Sequence, residues 1–179
     1  MAILKILQYP NVRLKKQALA VTEFDARIRK IIDDMFETHY AATNCAALAA
    51  TQLDINHPPH ITVIDFSEKK NQPLCLVNAN IIAKEGKCSE EEGCMSIGCN
   101  EDIRIFAKVT RANKVKIKAL DRYGNPLEFE ADGFMAKCVQ HELDHLNGII
   151  YLDHLSSLRR QRLEKHLKKS RHWKRKKKF

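Results

Sequence analysis

The 179-residue chain contains no apolar run approaching the roughly 18–20 residues that a membrane-spanning helix needs. Its opening segment, MAILKILQYPNVRLKK, lacks the apolar stretch and small-residue cleavage site of a secretory leader. It is not rich in Arg and Ser as a transit peptide is, so no targeting segment is expected there. Glycine and proline are scarce, at six and five residues, which excludes collagen-like and low-complexity disordered classes. A disulfide framework is also missing. The six cysteines (Cys45, Cys75, Cys88, Cys94, Cys99 and Cys138) are irregularly spaced, and without a leader they are expected to be reduced thiols in the cytoplasm. No internal repeat is visible. The length suits one globular domain with a sizeable core and a short appendage.

Charge is what the chain has in excess. Lys and Arg number 31 against 22 Asp and Glu, a formal +9, which invites an anionic partner. The excess is local. Residues 155–179 hold twelve of the basic groups and one acid, Glu164, leaving 19 basic against 21 acidic groups in residues 1–154. The chain therefore divides into a nearly neutral body, 1–154, and a basic C-terminal segment, 155–179.

The apolar spacing of Phe24, Ile28, Ile31, Met35 and Tyr40 predicts a first helix over about Glu23 to Thr43, with Thr22 and Asp25 as a capping pair. Ile61–Asp65 and Leu74–Ile82 read as strands. Val115–Asp121 and Pro126–Ala131 alternate around the turn Arg122–Asn125 and read as a hairpin. A second helix is expected from Asp132 to Asn147, closed by Gly148. A third follows Ser156 and Ser157, and the block after Ser170 is too charged to pack and is expected to fray. Strands on either side of the first helix without βαβ alternation imply α+β with antiparallel sheets around the second helix.

That second helix carries His141-Glu142-Leu143-Asp144-His145, an HExxH pattern. Positions i and i+4 on a helix leave the same face one turn apart, which is what two ligands of one metal ion require. Glu142 lies about 100° round the helix, placed to act on a water without ligating. The pattern arises by chance in about 2% of chains of this composition, so context must add to it. On a helical wheel Phe134, Cys138, Val139, Glu142 and Leu146 share the half that carries both histidines, and Lys137, Gln140 and Asp144 occupy the other. Both imidazoles therefore face the core, where burial is costly without a partner or a metal. The bland alternative is two core histidines bonded to backbone carbonyls. A third ligand would complete a site with an open fourth position. Cys94, Cys88, Cys99 and several carboxylates all qualify, and spacing does not choose among them.

Three motifs, LAATQ (Leu48–Gln52), EGCMS (Glu92–Ser96) and QHELDHLNG (Gln140–Gly148), occur in the order and approximate spacing of peptide deformylases, and the chain resembles that family over about residues 1–165. The N-terminal LxILxYP-like segment from Leu4 and the EADGFMAKC stretch before the second helix join the resemblance. It implies the peptide deformylase fold and removal of formyl from N-formylmethionyl chains. It implies Cys94, His141 and His145 as ligands of one divalent metal ion, Fe2+ foremost, with Zn2+, Ni2+ or Co2+ suited to the same donors. Glu142 is implied as the acid/base, and the Gln52 amide and Met95 N–H as donors to the oxyanion. The substrate would lie extended beside Ala46, Ala47, Glu92 and Gly93, with its methionine side chain in an apolar pocket that includes Cys138.

The chain departs from the family pattern in two places. Cys45 and Ala47 stand where the first motif, GxGxAAxQ, usually has glycine, which is expected to reshape the cleft. The stretch Ile97–Arg104 carries extra residues after EGCMS, altering a second side of the rim. Alternatives to deformylation are a shifted amidase or peptidase activity, or a paralogue that binds ribosomal RNA with little turnover. The basic tail suits phosphate neutralisation near the ribosomal exit, where N-formylmethionyl nascent peptides emerge. Its few apolar anchors argue against a membrane surface. A monomer is expected.

Overall fold

The computed structural model describes residues 2–98 and 105–177. Cys99 and the rest of the 99–104 stretch, where the second rim change falls, lie outside the described residues. The fold is α+β. Seven strands run as β1 (Ala47–Ala49), β2 (Ile61–Ile64), β3 (Leu74–Glu85), β4 (Cys88–Glu92), β5 (Ala107–Arg111), β6 (Lys114–Leu120) and β7 (Pro126–Asp132). Three helices accompany them: α1 (Ala26–Ala41), α2 (Gly133–Leu146) and α3 (Ser157–Lys177). No helix among the described residues is long and apolar enough to cross a membrane.

All strand pairings are antiparallel, in a five-stranded sheet of order β1-β2-β3-β6-β7 and a separate β4-β5 pair. The larger sheet separates two cores. Ala47, Ala49, Ile64, Leu76, Val115, Ile117 and Ala131 face Ala136, Val139, Leu143 and Leu146 of α2. Leu48, Ile61, Val63, Cys75 and Val77 face Ile28, Ile32 and Met35 of α1. Leu76 and Ala79 lie three residues apart yet share the α2 side, which an unbroken strand forbids. A register shift between Val77 and Asn80 allows it. Within it Asn78 takes φ +51°, and its side chain holds both the N–H and the C=O of Val21. That clamp ties the N-terminal segment to the sheet.

Several boundaries differ from the sequence reading. α1 begins at Ala26, not Glu23, because Asp25 is extended and accepts the Ile28 N–H at 2.8 Å, so Asp25 alone is the cap. It ends at Ala41. Phe24 consequently precedes the helix, and Tyr40 is half exposed, donating to Asp65 rather than packing inward. No strand precedes α1 among the described residues. The chain there makes only isolated bridges, Ile6 with Leu53 and Leu19 with Pro59. β3 runs three residues beyond Ile82, carried by pairing to β6 rather than by apolar alternation. α3 continues to Lys177, past Ser170 where its charge density predicts fraying.

α3 is held by apolar contact and by charge. Leu163 and Leu167 join the cluster of Leu7, Leu14, Ile97, Ile150, Tyr151 and Leu152. Glu164 accepts the Tyr9 hydroxyl at 2.5 Å, and Arg160 bridges Glu164 and Asp153. α2 ends as the sequence reading expects. The Asn147 amide bonds Leu143 O, and Gly148 at φ +73° donates to His145 O. A Cβ on Gly148 would lie 2.4 Å from the Lys15 carbonyl oxygen. Gly148→Ala is therefore expected to cost about 1–3 kcal/mol of stability, read as a lowered urea midpoint with an unchanged m-value.

Candidate metal centre and its cavity

Three chain segments converge on one face of α2. The short 3-10 turn Ala50–Gln52 follows β1 and is tied to the helix by the Thr51 hydroxyl, which donates to His145 O at 2.8 Å. The loop leaving β4 at Glu92 delivers Gly93 and Cys94, and α2 supplies His141, Glu142 and His145. The Cys94 thiol lies 3.1 Å from His145 Nε2, and the three donor atoms of Cys94, His141 and His145 fall within 4.8 Å of one another, all buried. Cys88, at the far end of β4, is outside that group.

The donor chemistry suits a metal ion. One thiol and two imidazoles form a set that borderline-soft divalent ions favour. His141 Nδ1 is taken by Glu92 at 2.9 Å, leaving Nε2 as its donor atom. Among the described residues His145 Nδ1 and Glu142 Oε2 are buried with no hydrogen-bond partner. Buried polar atoms in that condition are expensive unless something else satisfies the site. Burial depresses the His145 pKa well below that of a free imidazole, with help from His141 and Arg111. Burial also pushes Glu142 up to about 7, offset only in part by the His141 charge.

Behind the donors lies an ion-pair network. Arg111 of β5 grips Glu92 of β4 through two nitrogens, at 2.8 and 3.0 Å, and reaches Asp144 of α2 at 2.5 Å. His154 meets the same Asp144 oxygen at 2.6 Å. Burial opposes the charged form of Glu92, yet the hydrogen bonds from His141 and Arg111 hold its pKa down at about 2. For His141, burial is likewise outweighed by Cys94 and Glu92, which raise its pKa.

A cavity of about 320 Å³ opens beside these groups. Gln52, Ala46, Ala47, Glu92, Gly93, Cys94, Met95, Cys138, His141 and Glu142 all border it, so of the candidate residues only His145 does not. The Gln52 side chain is oriented at both ends. Its Oε1 accepts the Ala49 N–H at 2.8 Å, and its Nε2 lies 3.3 Å from Ser96 Oγ and 3.5 Å from the Cys94 thiol. Burial pushes the Cys138 thiol up to about 12, so it is a neutral wall. Of the two residues standing where glycine was expected, Ala47 faces the cavity, while Cys45 is buried in the α1 core and hydrogen-bonds Ala47 O. Neither has positive φ; the left-handed residue here is Asn44, at +58°.

The helical wheel fails in detail because α2 is covered on more than one side. Gln140, expected on the polar half, is buried and bonds both N–H and C=O of Ala112. Phe134, expected inside, is 47% exposed at the cavity mouth, edge-on to Phe66. Lys137 lines the cavity, and Asp144 is engaged by Arg111. Sequence reasoning did not single out Arg111, nor Phe106 and Lys137, which both line the cavity. A signal existed for Arg111, an arginine in step with inward-facing Val109, but the Glu-rich β4 shows no apolar alternation and hid the pairing.

The family model described as polypeptide deformylase matches residues 3–161. Peptide deformylase 1 of Coxiella burnetii is 67% identical over 167 residues, which span 93% of this chain and 96% of that protein. A crystal structure of a peptide deformylase from Legionella pneumophila superposes with TM-score 0.87 at 38% identity, covering 97% of this chain and 98% of that one. A peptide deformylase from Ehrlichia chaffeensis in complex with actinonin gives 0.83 at 33% identity, covering 95% and 98%.

Removing Arg111 would leave the buried Glu92 carboxylate with the His141 ring as its one remaining side-chain partner among the described residues. Arg111→Met is expected to lower unfolding free energy by about 3–5 kcal/mol, measured by urea denaturation. Arg111→Lys is expected to recover only part of it, since an ammonium does not reproduce the two-point grip.

Proposed function

Because this chain belongs to the peptide deformylase family, whose members remove the N-formyl group from N-formylmethionine at the start of newly made polypeptides, we propose that Cys94, His141 and His145 hold the single divalent metal ion of that reaction. The observation that carries the assignment is the convergence of a thiol and two imidazoles, all buried, at the edge of a cavity that Glu142 borders with one carboxylate oxygen buried and unpartnered among the described residues. Fe2+ is the ion we assign; Zn2+, Ni2+ and Co2+ suit the same donors. When bound, such an ion supplies Lewis acidity and brings the pKa of a water toward neutrality.

The chain's own groups do the rest. Glu142, with its pKa raised to about 7 by burial, is suited to take the proton of the attacking water and return it to the leaving amine. The C–N bond of the formamide breaks, giving formate and a free amino terminus. The Gln52 amide, its oxygen pinned by Ala49, turns its Nε2 toward the centre and, with the Met95 N–H, donates to the oxyanion. Glu92 and Arg111 fix the His141 ring. An extended peptide lies along Ala46, Ala47 and Gly93, with the methionine side chain in the cavity against Cys138. The Glu92 carboxylate is committed to Arg111 and His141, so what it offers substrate is backbone.

Residues 1–154 form the catalytic body and 155–179 a basic appendage for ribosomal RNA near the exit region, in a cytoplasmic monomer. Arg159, Arg162, Lys165, Lys168 and Lys169 are exposed while Leu167 and Glu164 anchor the helix, which supports a free basic face.

Three outcomes test this reading. Anaerobically prepared protein is expected to release formate from a formyl-methionyl peptide with one metal ion per chain, and air is expected to inactivate it as the ion oxidises. Glu142→Gln is expected to lower formate release by about 10²–10⁴-fold with metal content retained; unchanged turnover would sink the mechanism. Deleting residues 171–179 is expected to spare turnover of small peptides and to weaken co-sedimentation with ribosomes, most clearly at low salt.

A further inference from the structure

The cavity wall contributed by α2 is a ladder at helical spacing: Phe134, Lys137, Cys138, His141 and Glu142. Lys137 is out of place there. It stands one turn before His141 on the cavity wall, flanked on α2 by the uncharged Phe134 and Cys138, while Glu91 borders the same cavity from β4. Its side chain is only 14% exposed. An ammonium swung into that space would meet the imidazole of His141 and sit where an apolar side chain should go, with its hydration lost.

The ammonium is instead directed outward. Its Nζ donates to Glu90 Oε2 at 2.6 Å and lies 5.1 Å from the Phe134 ring centroid. Glu90 is on β4, two residues before Glu92 and therefore on the same side of the strand, with a side chain 56% exposed. The Glu90 carboxylate is thus in contact with water, next to Glu91, which borders the cavity, and it draws the charge outward, while the four methylenes of Lys137 remain as apolar wall. Phe134 covers the ammonium from one side through the ring face. Exposed ion pairs of this kind contribute little to stability, so a fold-stabilising role does not account for the arrangement.

We propose that Glu90 and Lys137 together determine which first side chain the cavity accepts: Glu90 holds the lysine ammonium at the rim, so the cavity presents only the methylene stem and selects an apolar side chain. This rests on the assignment of the cavity to the substrate's methionine. Glu90 acts through Lys137 and touches no reacting atom; it is a positioning residue.

The test compares formyl-methionyl and formyl-glutamyl peptides with wild-type protein, Glu90→Gln and the double variant Glu90→Gln/Lys137→Met, each loaded with metal. In Glu90→Gln the released ammonium is expected to raise KM for the formyl-methionyl peptide severalfold, with kcat within twofold of wild type. Relative turnover of the formyl-glutamyl peptide is expected to rise, because the cavity then holds a cation. The double variant keeps the stem and loses the charge, and is expected to reverse both changes. A general loss of structure would lower kcat in Glu90→Gln and would not be reversed by a second substitution. The proposal is overturned if Glu90→Gln leaves KM and selectivity unchanged, or if its KM defect persists in the double variant. Wild-type protein that cleaves neither peptide would overturn the cavity assignment along with it, whereas wild-type turnover with an unaltered Glu90→Gln variant overturns only this inference.

Discussion

A guanidinium buried between a two-stranded sheet and a helix has to be neutralised from both, and Arg111 is. It donates two bonds to Glu92 on β4 and one to Asp144 on α2, joining the small sheet to the helix that carries the histidines. Because the same Glu92 carboxylate meets His141 Nδ1, the ion pair also sets how one imidazole is turned. The thiol reaches the centre from the chain that leaves β4 immediately after Glu92. Loosening Arg111 would therefore disturb the position of Cys94 and the orientation of His141 together. A buried ion pair is weak evidence of net stability, since desolvation consumes most of the Coulomb gain. What it contributes here is geometry, the mutual placement of two elements that share few apolar contacts.

The centre itself works against the stability of the polypeptide. Glu142 and His145 each bury a polar atom without a partner among the described residues, and the helix face that holds them packs onto a close-fitting core. The surrounding structure holds them in place. The Thr51 hydroxyl on His145 O, the clamped Gln52 amide and the Gly148 cap, which lets the chain turn back over Lys15, all restrain α2 near these groups. Polar groups kept unsatisfied and preorganised are suited to a bound ion and to developing charge, where fixed dipoles act without reorganising. The apolar cavity beside them and the charge drawn to its rim by Glu90 follow the same division, with polarity concentrated at the reacting end.

Much of the architecture was legible from local pattern. The hairpin of β6 and β7, the limits of α2 and the glycine that ends it follow from alternation, helical spacing and turn chemistry. The pattern failed where an element owes its existence to pairing. β4 is Cys-Ser-Glu-Glu-Glu, with no apolar face, and is a strand because β5 provides its ladder. β1 is three residues long and lies at the edge of the larger sheet. The wheel for α2 assumed one buried side, whereas the helix is covered by the large sheet and also by β5 through Gln140 and Arg111, which buried a glutamine and left a phenylalanine at the cavity mouth.

By itself the sequence determined the chemistry available: two histidines one helical turn apart with a glutamate between them, six cysteines, and a basic excess confined to the last 25 residues. It also determined the family, because three short motifs in a set order are far more specific than any one of them. Spacing alone did not choose between Cys94 and Cys88; the family motif pointed to Cys94, and the tertiary structure brings that thiol beside the histidines. It also committed the Glu92 carboxylate to Arg111 and His141, and paired Lys137 with Glu90 instead of leaving it in solvent. Spacing along a chain constrains direction only within one helix or strand. Which side chains meet across 40 or 50 residues depends on strand pairing and on how buried charges find their counterions.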